Sequence, residues 1–334
     1  MTNNPDRGNN RNKYKDKNKN NNTEISIIIP IYNEEESIDL LYSQLDQTLS
    51  KLGLSYEVIL IDDGSTDNTY TKLVEIHKRN SNYKIIKLRR NFGQTAAISA
   101  GFDYSRGNII ITLDADLQND PGDIPKLIEK MKEGYDIVSG WRKNRKDKFL
   151  TRRIPSILAN KIISRITGVH LHDFGCTLKA YSKDIVKNIS LYGEMHRYIP
   201  AIASSVGAKI TEIEVRHNER KFGKSKYGIS RTIRVILDII TIKFLLSFST
   251  KPMQLFGLLG LGMGVLGSIV TLYLIILRVF FQQELGNRPL FLIGIFLVLI
   301  GIQFISMGLI GEISIRTYHE SCNKPIYSIK EILD

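Results

Sequence analysis

Cysteine is almost missing from this 334-residue chain: Cys176 and Cys322 are the only two, and they stand far apart. That spacing offers neither a zinc site nor a disulfide framework and suits a reducing compartment. No Gly-x-x-x-x-Gly-Lys phosphate loop and no Gly-x-Gly-x-x-Gly turn follows the first apolar run. Both absences argue against an ATPase and against a dinucleotide-dependent oxidoreductase. Residues 1–22 contain no apolar core, so a secretory signal is not expected there. Such an Asn/Lys-rich stretch has too little apolar surface to offset the entropy of ordering, and a disordered basic tail is predicted over 1–22.

Acidic side chains are in the minority, 34 against 46 basic, for a formal charge of +12. The excess is clustered: +4 in residues 1–22, +6 in Arg142–Arg153 and +6 in Arg216–Arg234, which leaves the rest of the chain at −4. Clustered positive charge points to an anionic partner, whether nucleic acid, a phosphorylated small molecule or an anionic membrane surface. The mean hydropathy of −0.11 excludes a pure membrane bundle.

Two stretches nevertheless lack any charge, Pro252–Leu277 and Pro289–Gly311. Each exceeds the ~20 residues that cross a bilayer as a helix, so transmembrane helices are predicted at 252–280 and 289–311. The short connection between them makes a hairpin. Lys/Arg at its outer ends (Arg231, Arg234, Lys243, Lys251, Arg316, Lys324, Lys330) outnumber Arg278 and Arg288 in the turn. By the positive-inside rule the N-terminal part and a tail at 312–334 face the cytoplasm, which predicts a multi-pass protein of the inner (plasma) membrane. Gly294, Gly301 and Gly308 recur every seven residues, and Gly260 and Gly264 form a small-xxx-small pair; such faces pack against each other or against a neighbouring subunit. Residues 229–250 place Arg231, Arg234, Asp238 and Thr241 on one stripe of an otherwise apolar helix, a form suited to the headgroup layer.

Residues 23–228 read as a separate α/β domain. The runs ISIIIPI, YEVILID, YKIIKL and NIIITLD are short and continuous, as expected of strands buried on both faces of a mainly parallel sheet. Helix-length segments alternate with them, the pattern of a Rossmann-like layered fold. Ligands in such folds collect at the carboxyl ends of the strands. Those ends carry Pro30-Ile31-Tyr32-Asn33-Glu34, Asp62-Asp63-Gly64-Ser65, Arg89-Arg90-Asn91-Phe92-Gly93-Gln94 and Asp114-Ala115-Asp116-Leu117-Gln118. Two carboxylates two residues apart, with an amide two further on, suit a hard divalent cation such as Mg²⁺ or Mn²⁺.

Taken together, PIYNE, IDDGSTDNT, RRNFGQTAAISAG, LDADLQNDP, DFGCTLKAY (173–181) and HNERKFGKSKY (217–227), then the hairpin, resemble family 2 glycosyltransferases of the GT-A nucleotide-sugar fold. The likeness spans roughly residues 24–330. Within the family it is similar to the polyprenyl-phosphate glycosyltransferases, above all those that transfer formamido-arabinose, with the polyprenyl-phosphate glucosyl and mannosyl transferases further off. The resemblance implies an inverting transfer from a UDP-sugar to undecaprenyl (polyprenyl) phosphate, yielding a lipid-linked sugar for envelope glycan or lipid A modification. It also implies a homotetrameric assembly on the lipid bilayer, with no role for nucleic acid. UDP-glucose or GDP-mannose as donor is the alternative.

By matching positions, the resemblance assigns the nucleotide sugar to Pro30, Tyr32, Glu34, Asp62 and/or Asp63, Gln94, Asp114 and Ala115. It assigns the metal to Asp114, Asp116 and Gln118, and the phosphates to a basic flap of Arg220, Lys224, Ser225 and Lys226. Asp116 and Asp173 are its catalytic acids. A phosphate monoester acceptor, with a second pKa of ~6, is already ionised at neutral pH, so Asp173 is expected to be in part a positioning group rather than a full general base. Two rivals stand against this reading. A processive polysaccharide synthase would carry Gln-x-x-Arg-Trp, yet the one tryptophan, Trp141, lacks that context. A silent nucleotide-sugar-binding module would not need the intact Asp114/Asp116/Gln118 set. His170 and His172 are expected to be surface or structural residues.

Overall fold

The structure, a computed structural model, describes residues 23–143, 160, 163–165, 167–189, 191, 195–219, 252–282, 289–321 and 325–334. The chain divides into two compact units, Met1–Asp238 with Pro325–Asp334, and Ile239–Lys324. The predicted tail (1–22), the basic flap and the amphipathic helix (229–250) lie outside the described residues.

In the first unit the predicted strands form as β1 (Ile25–Ile31), β2 (Tyr56–Asp62), β3 (Tyr83–Leu88) and β4 (Ile109–Thr112). They are joined by β5 (Ile137–Trp141), β6 (Lys179–Ser182), β7 (Ile210–Glu214) and β8 (Ile329–Leu333) in one sheet of order β7-β5-β6-β4-β1-β2-β3-β8. The β1–β2, β2–β3, β1–β4 and β5–β7 pairs are parallel, whereas β6 and β8 run antiparallel to their neighbours. The strands alternate between two cores. Ile25, Ile27, Ile29 and Ile31 of β1 face the side covered by α1 (Ile38–Leu49), α2 (Thr69–Arg79) and α4 (Ile124–Lys132). Ile28 faces α3 (Gln94–Tyr104), α5 (Lys183–Asn188) and α6 (Ile199–Ser205).

Helical spacing explains the fit. Ile38, Leu41, Leu45 and Leu49 form the single buried stripe of α1, as an amphipathic surface helix requires. Helix α3 is built of small residues and lies close to the sheet: a Cβ on Gly101 would stand 2.3 Å from Cγ2 of Ile28.

The predicted C-terminal tail contains β8, which pairs antiparallel with β3. Asp334 bridges Lys84 and Arg106 at 2.6 Å each, and the Tyr327 hydroxyl donates to Asp103 at 2.7 Å. Five residues reading IKEIL are too few to reveal a strand separated from its partner by the whole apolar hairpin.

The second unit contains α7 (Pro252–Phe281) and α8 (Pro289–Ser321). Their segments Phe256–Phe281 and Pro289–Gly311 are long and apolar enough to cross a membrane, with mean hydropathies of 2.2 and 2.6. Large side chains such as Leu258, Leu272, Phe280 and Leu292 are mostly exposed, unlike those of a soluble core helix. The glycines pack the two helices together. A Cβ on Gly260 would stand 2.6 Å from the Gly301 carbonyl, and one on Gly267 would stand 2.6 Å from the Gly294 carbonyl. Close backbone approach of this kind is the role of small residues between apolar helices.

Candidate active site

The sheet topology assembles the site. Strand order reverses on either side of β1, where β2 and β4 flank it, creating the switch-point crevice at which α/β sheets bind ligands. The carboxyl ends of β1, β2, β3, β4, β5 and β7 and the amino end of β6 share this edge.

At the ends of β1 and β2 the loops are laced together. The Asn33 amide donates to Ser65 Oγ at 3.0 Å, Thr66 N–H donates to Asn33 Oδ1 at 2.8 Å, and Glu34 N–H donates to Thr69 Oγ1 at 2.9 Å. Asn33 adopts φ 53°, a left-handed conformation that asparagine tolerates better than most residues. Pro30, Tyr32 and Glu34 are half-buried along this rim.

The neighbouring aspartates divide their work. Both oxygens of Asp63 accept backbone N–H groups, from Phe92 at 2.7 Å and Gly93 at 2.9 Å, so Asp63 fixes the loop leading into α3. Burial raises its pKa and these amides oppose the rise. Asp62 accepts the Ser65 N–H at 3.0 Å through Oδ1, while its buried Oδ2 has no hydrogen-bond partner among the described residues.

Asp114 and Asp116 follow β4, both half-buried. Gln94, the first residue of α3, donates to Asp114 Oδ1 at 2.8 Å, and Gln118 N–H donates to Asp116 Oδ1 at 3.2 Å. Ala115 and Leu117 alternate with the two acids and are buried, Leu117 with φ 61°, an uncommon angle for a bulky residue. Burial, then the charge of Asp116, pushes the Asp114 carboxyl up to about 6, against the opposing pull of Thr177, Arg142 and Lys179. Two carboxylates so placed are short of positive charge, and a divalent cation fits that donor set. Among the described residues no group of three His, Cys, Asp or Glu side chains forms a complete cage. The remaining shell would therefore come from amide, phosphate and water oxygens.

Asp173 is 2% exposed and forms a bidentate pair with Arg142, Nε to Oδ2 at 2.7 Å and NH2 to Oδ1 at 3.0 Å; it also accepts the Gly175 N–H at 3.1 Å. Burial opposes the charge on Arg142, but Cys176 and Asp173 more than restore it, leaving its pKa above the ordinary value. On the outer side Trp141 stacks on His172 with ring centroids 4.2 Å apart, and His172 pairs with Glu212. This exposed stack agrees with the structural role expected of His172.

Among the residues expected to bind or react, Pro30, Tyr32, Glu34, Asp62, Asp63, Gln94, Asp114, Ala115, Asp116, Gln118 and Asp173 thus gather on one edge. Arg220, Lys224, Ser225 and Lys226 lie outside the described residues. The approach to that flap is anchored: Asn218 N–H donates to the Gln118 carbonyl at 2.9 Å, and Arg216 N–H donates to the buried Asp123 at 2.7 Å. Sequence reasoning missed Thr177, Lys179 and His196 as parts of the site and placed Arg142 only at the head of a basic stretch. A lysine opening an otherwise apolar strand was the available signal for Lys179.

A model of glycosyl transferase family 2 matches residues 26–190. A dodecaprenyl-phosphate galacturonate synthase of Rhizobium johnstonii is 43% identical, covering 93% of both chains. An undecaprenyl-phosphate 4-deoxy-4-formamido-L-arabinose transferase of Shewanella sediminis is 40% identical, covering 92% of both. Among solved structures, glucosyl-3-phosphoglycerate synthase from Mycobacterium tuberculosis, in complex with Mn²⁺, uridine diphosphate and phosphoglyceric acid, aligns with a TM-score of 0.51 at 17% identity. That alignment covers 67% of this chain and 78% of the other. At such identity the likeness speaks for the fold, and it agrees with the GT-A architecture and the mainly parallel sheet found here. The chain belongs to glycosyl transferase family 2 and is a glycosyltransferase.

Proposed function

We propose that this glycosyltransferase moves a sugar from a UDP-sugar to a polyprenyl phosphate at the cytoplasmic face of the inner membrane, with inversion at the anomeric carbon. The reading is carried by one observation: relatives named for sugar transfer to or from polyprenyl phosphates align over nearly the whole chain, apolar hairpin included. A uridine diphosphate donor is supported by the complexes of the fold neighbour.

In the reaction, an acceptor phosphate oxygen attacks the anomeric carbon as the bond to the donor's diphosphate breaks, and UDP departs with the electron pair. Asp114, Asp116 and Gln118 would hold Mg²⁺ or Mn²⁺, which supplies charge neutralisation for the departing diphosphate. Gln94 keeps Asp114 in place. Tyr32, Glu34 and Asp62, whose Oδ2 has no hydrogen-bond partner among the described residues, are the groups assigned to the nucleoside, and the 220–226 flap is assigned to the phosphates. Asp173, with both oxygens committed to Arg142 and Gly175, positions the guanidinium at the rim. The acceptor, already an oxyanion near neutral pH, needs no strong base.

The hairpin reading accords with connectivity. Residues on both sides of α7 and α8 belong to the same unit, which supports a hairpin whose two ends lie on one side of the bilayer. The test is a panel of UDP-sugars, galacturonate, formamido-arabinose and glucose among them, incubated with undecaprenyl phosphate and purified protein in detergent. Mass spectrometry of the lipid fraction is expected to show one glycosylated polyprenyl phosphate, lost on chelation and regained with Mn²⁺. Transfer that survives both chelation and Asp116→Ala would overturn the metal assignment. Sugar release without any lipid product would overturn the acceptor.

A further inference from the structure

Buried beneath the acidic rim is a lysine that the reaction described above leaves without a role. Lys179 opens β6 and is 2% exposed. Its register explains the oddity. Across β4, β6 and β5 the row Ile110, Tyr181 and Ile137 is apolar, while two residues nearer the site the next row on the same face is Thr112, Lys179 and Ser139. Asp114 follows Thr112 by two residues, and the Lys179 charge acts on its carboxyl.

A buried ammonium normally demands a carboxylate partner. Among the described residues no ion pair is formed by Lys179; its Nζ donates instead to the backbone carbonyls of Phe174, at 3.1 Å, and Cys176. Those carbonyls belong to the turn between Asp173 and Lys179, whose other groups brace the site. The Thr112 hydroxyl donates to the Thr177 carbonyl at 2.6 Å, and Asn119 Nδ2 donates to Thr177 Oγ1 at 3.1 Å. A second buried contact approaches from above: His196 Nδ1 lies 2.7 Å from Thr95 Oγ1, in the turn of α3 that presents Gln94 to Asp114. Burial, then the cations Arg197 and Lys179, pushes the pKa of His196 down to about 3, so it is a neutral partner there.

We propose that Lys179 is a positioning residue for glycosyl transfer: from beneath, its ammonium holds the 173–177 turn in the shape that presents Asp173 to Arg142 and Thr177 to the Asp114–Asn119 segment. An apolar residue there would leave the two turn carbonyls without donors, a cost that falls on the turn rather than on the sheet. The role rests on the transfer reading above, and its test separates the two.

The test uses the full-length protein in detergent, with Lys179→Met removing charge and donors and Lys179→Gln keeping donors alone. Hydrogen exchange is followed over 173–178 and, as a reference, over β1 and β2. Lys179→Met is expected to speed exchange in 173–178 alone and to lower kcat about tenfold or more, while the donor KM moves much less, as misplacement of a reacting group predicts. Thr177→Val is expected to lower kcat in the wild-type background and to add little on top of Lys179→Met, since residues acting through one turn are not additive. Unchanged exchange over 173–178, or losses that multiply in the double variant, would overturn the proposal. Lys179→Gln is expected to fall between Lys179→Met and wild type, and should Lys179→Met fail to fold, Lys179→Leu is judged by the same outcomes. A wild-type protein inactive with every donor would sink the transfer reading, and the exchange comparison would still decide whether Lys179 holds the turn.

Discussion

Replacing Asp173 with asparagine tests what that acid does. The change keeps the side chain's size and leaves an oxygen for the Gly175 N–H, but it deprives Arg142 of its counter-charge. The two side chains are only 12% and 3% exposed and meet at 2.7 Å, so solvent screening does little to soften the loss. Breaking a buried pair by removing one partner costs about 3–5 kcal/mol. For a domain of this size, where each kcal/mol is worth about 2–4 °C, the melting point should drop by roughly 6–20 °C. Arg142→Met should cost a similar amount. Arg142→Met combined with Asp173→Leu should recover much of the loss, because an apolar pair replaces two charges without orphaning either. The assay is thermal unfolding in detergent, followed by circular dichroism and by emission of the single tryptophan, Trp141, which adjoins the pair. Kinetics complete it. A positioning role predicts that Arg142→Lys and Asp173→Asn both lower kcat and are non-additive. A melting point within about 2 °C of wild type for Asp173→Asn would refute the energetic argument. A residual rate climbing steeply with alkaline pH in Asp173→Asn alone, with Arg142→Lys unaffected, would restore a general-base role.

Gly101→Ala should destabilise the catalytic unit by about 1–3 kcal/mol despite the better helix propensity of alanine, because the new methyl would sit 2.3 Å from Ile28 Cγ2; Ile28→Ala in the same chain should relieve part of that in chemical denaturation. Burial would raise the Asp334 carboxyl, but Lys84 and Arg106 outweigh it and hold the pKa below the ordinary 3.8. A depressed carboxylate stabilises above its unfolded value and loses that contribution as pH falls through the folded one. The stability gap between wild type and Asp334→Asn should therefore be flat above pH 3.8 and close below it, as read by exchange over 325–334. In the hairpin, Gly267→Leu should push α7 from α8 and lower the melting point in detergent, whereas Gly262→Leu, which meets nothing within 4 Å, should not.

The sheet and the rim were legible because their signals are local. Continuous apolar runs mark β1 to β4, and polar clusters at their ends mark Tyr32, Asp62, Asp114 and Asp116. What the sequence hid depends on distant pairing. Asp62 and Asp63 are indistinguishable as letters, and only strand alternation sends one toward α3 to hold Phe92 and Gly93 while the other faces the opposite core. Arg142 read as the start of a charged stretch because nothing in its neighbourhood announces Asp173, thirty-one residues on. Lys179 and His196 were missed for the same reason: their worth lies in the backbone carbonyls and the hydroxyl they meet across the fold. The heptad glycines of α8 were visible, but their partners on α7 became clear only from the packing.

The return of the chain into β8 makes the hairpin an insertion between two edge elements of a single folded body. Simple truncation ahead of Pro252 would therefore not yield a clean soluble enzyme. It would bare the hydrogen-bonding edge of β3, invite sheet-to-sheet aggregation, remove the carboxylate paired with Arg106, and leave Lys84 with Glu57 alone. A soluble version should instead excise residues 239–324 and splice a flexible linker across the gap, so that the closing strand stays attached.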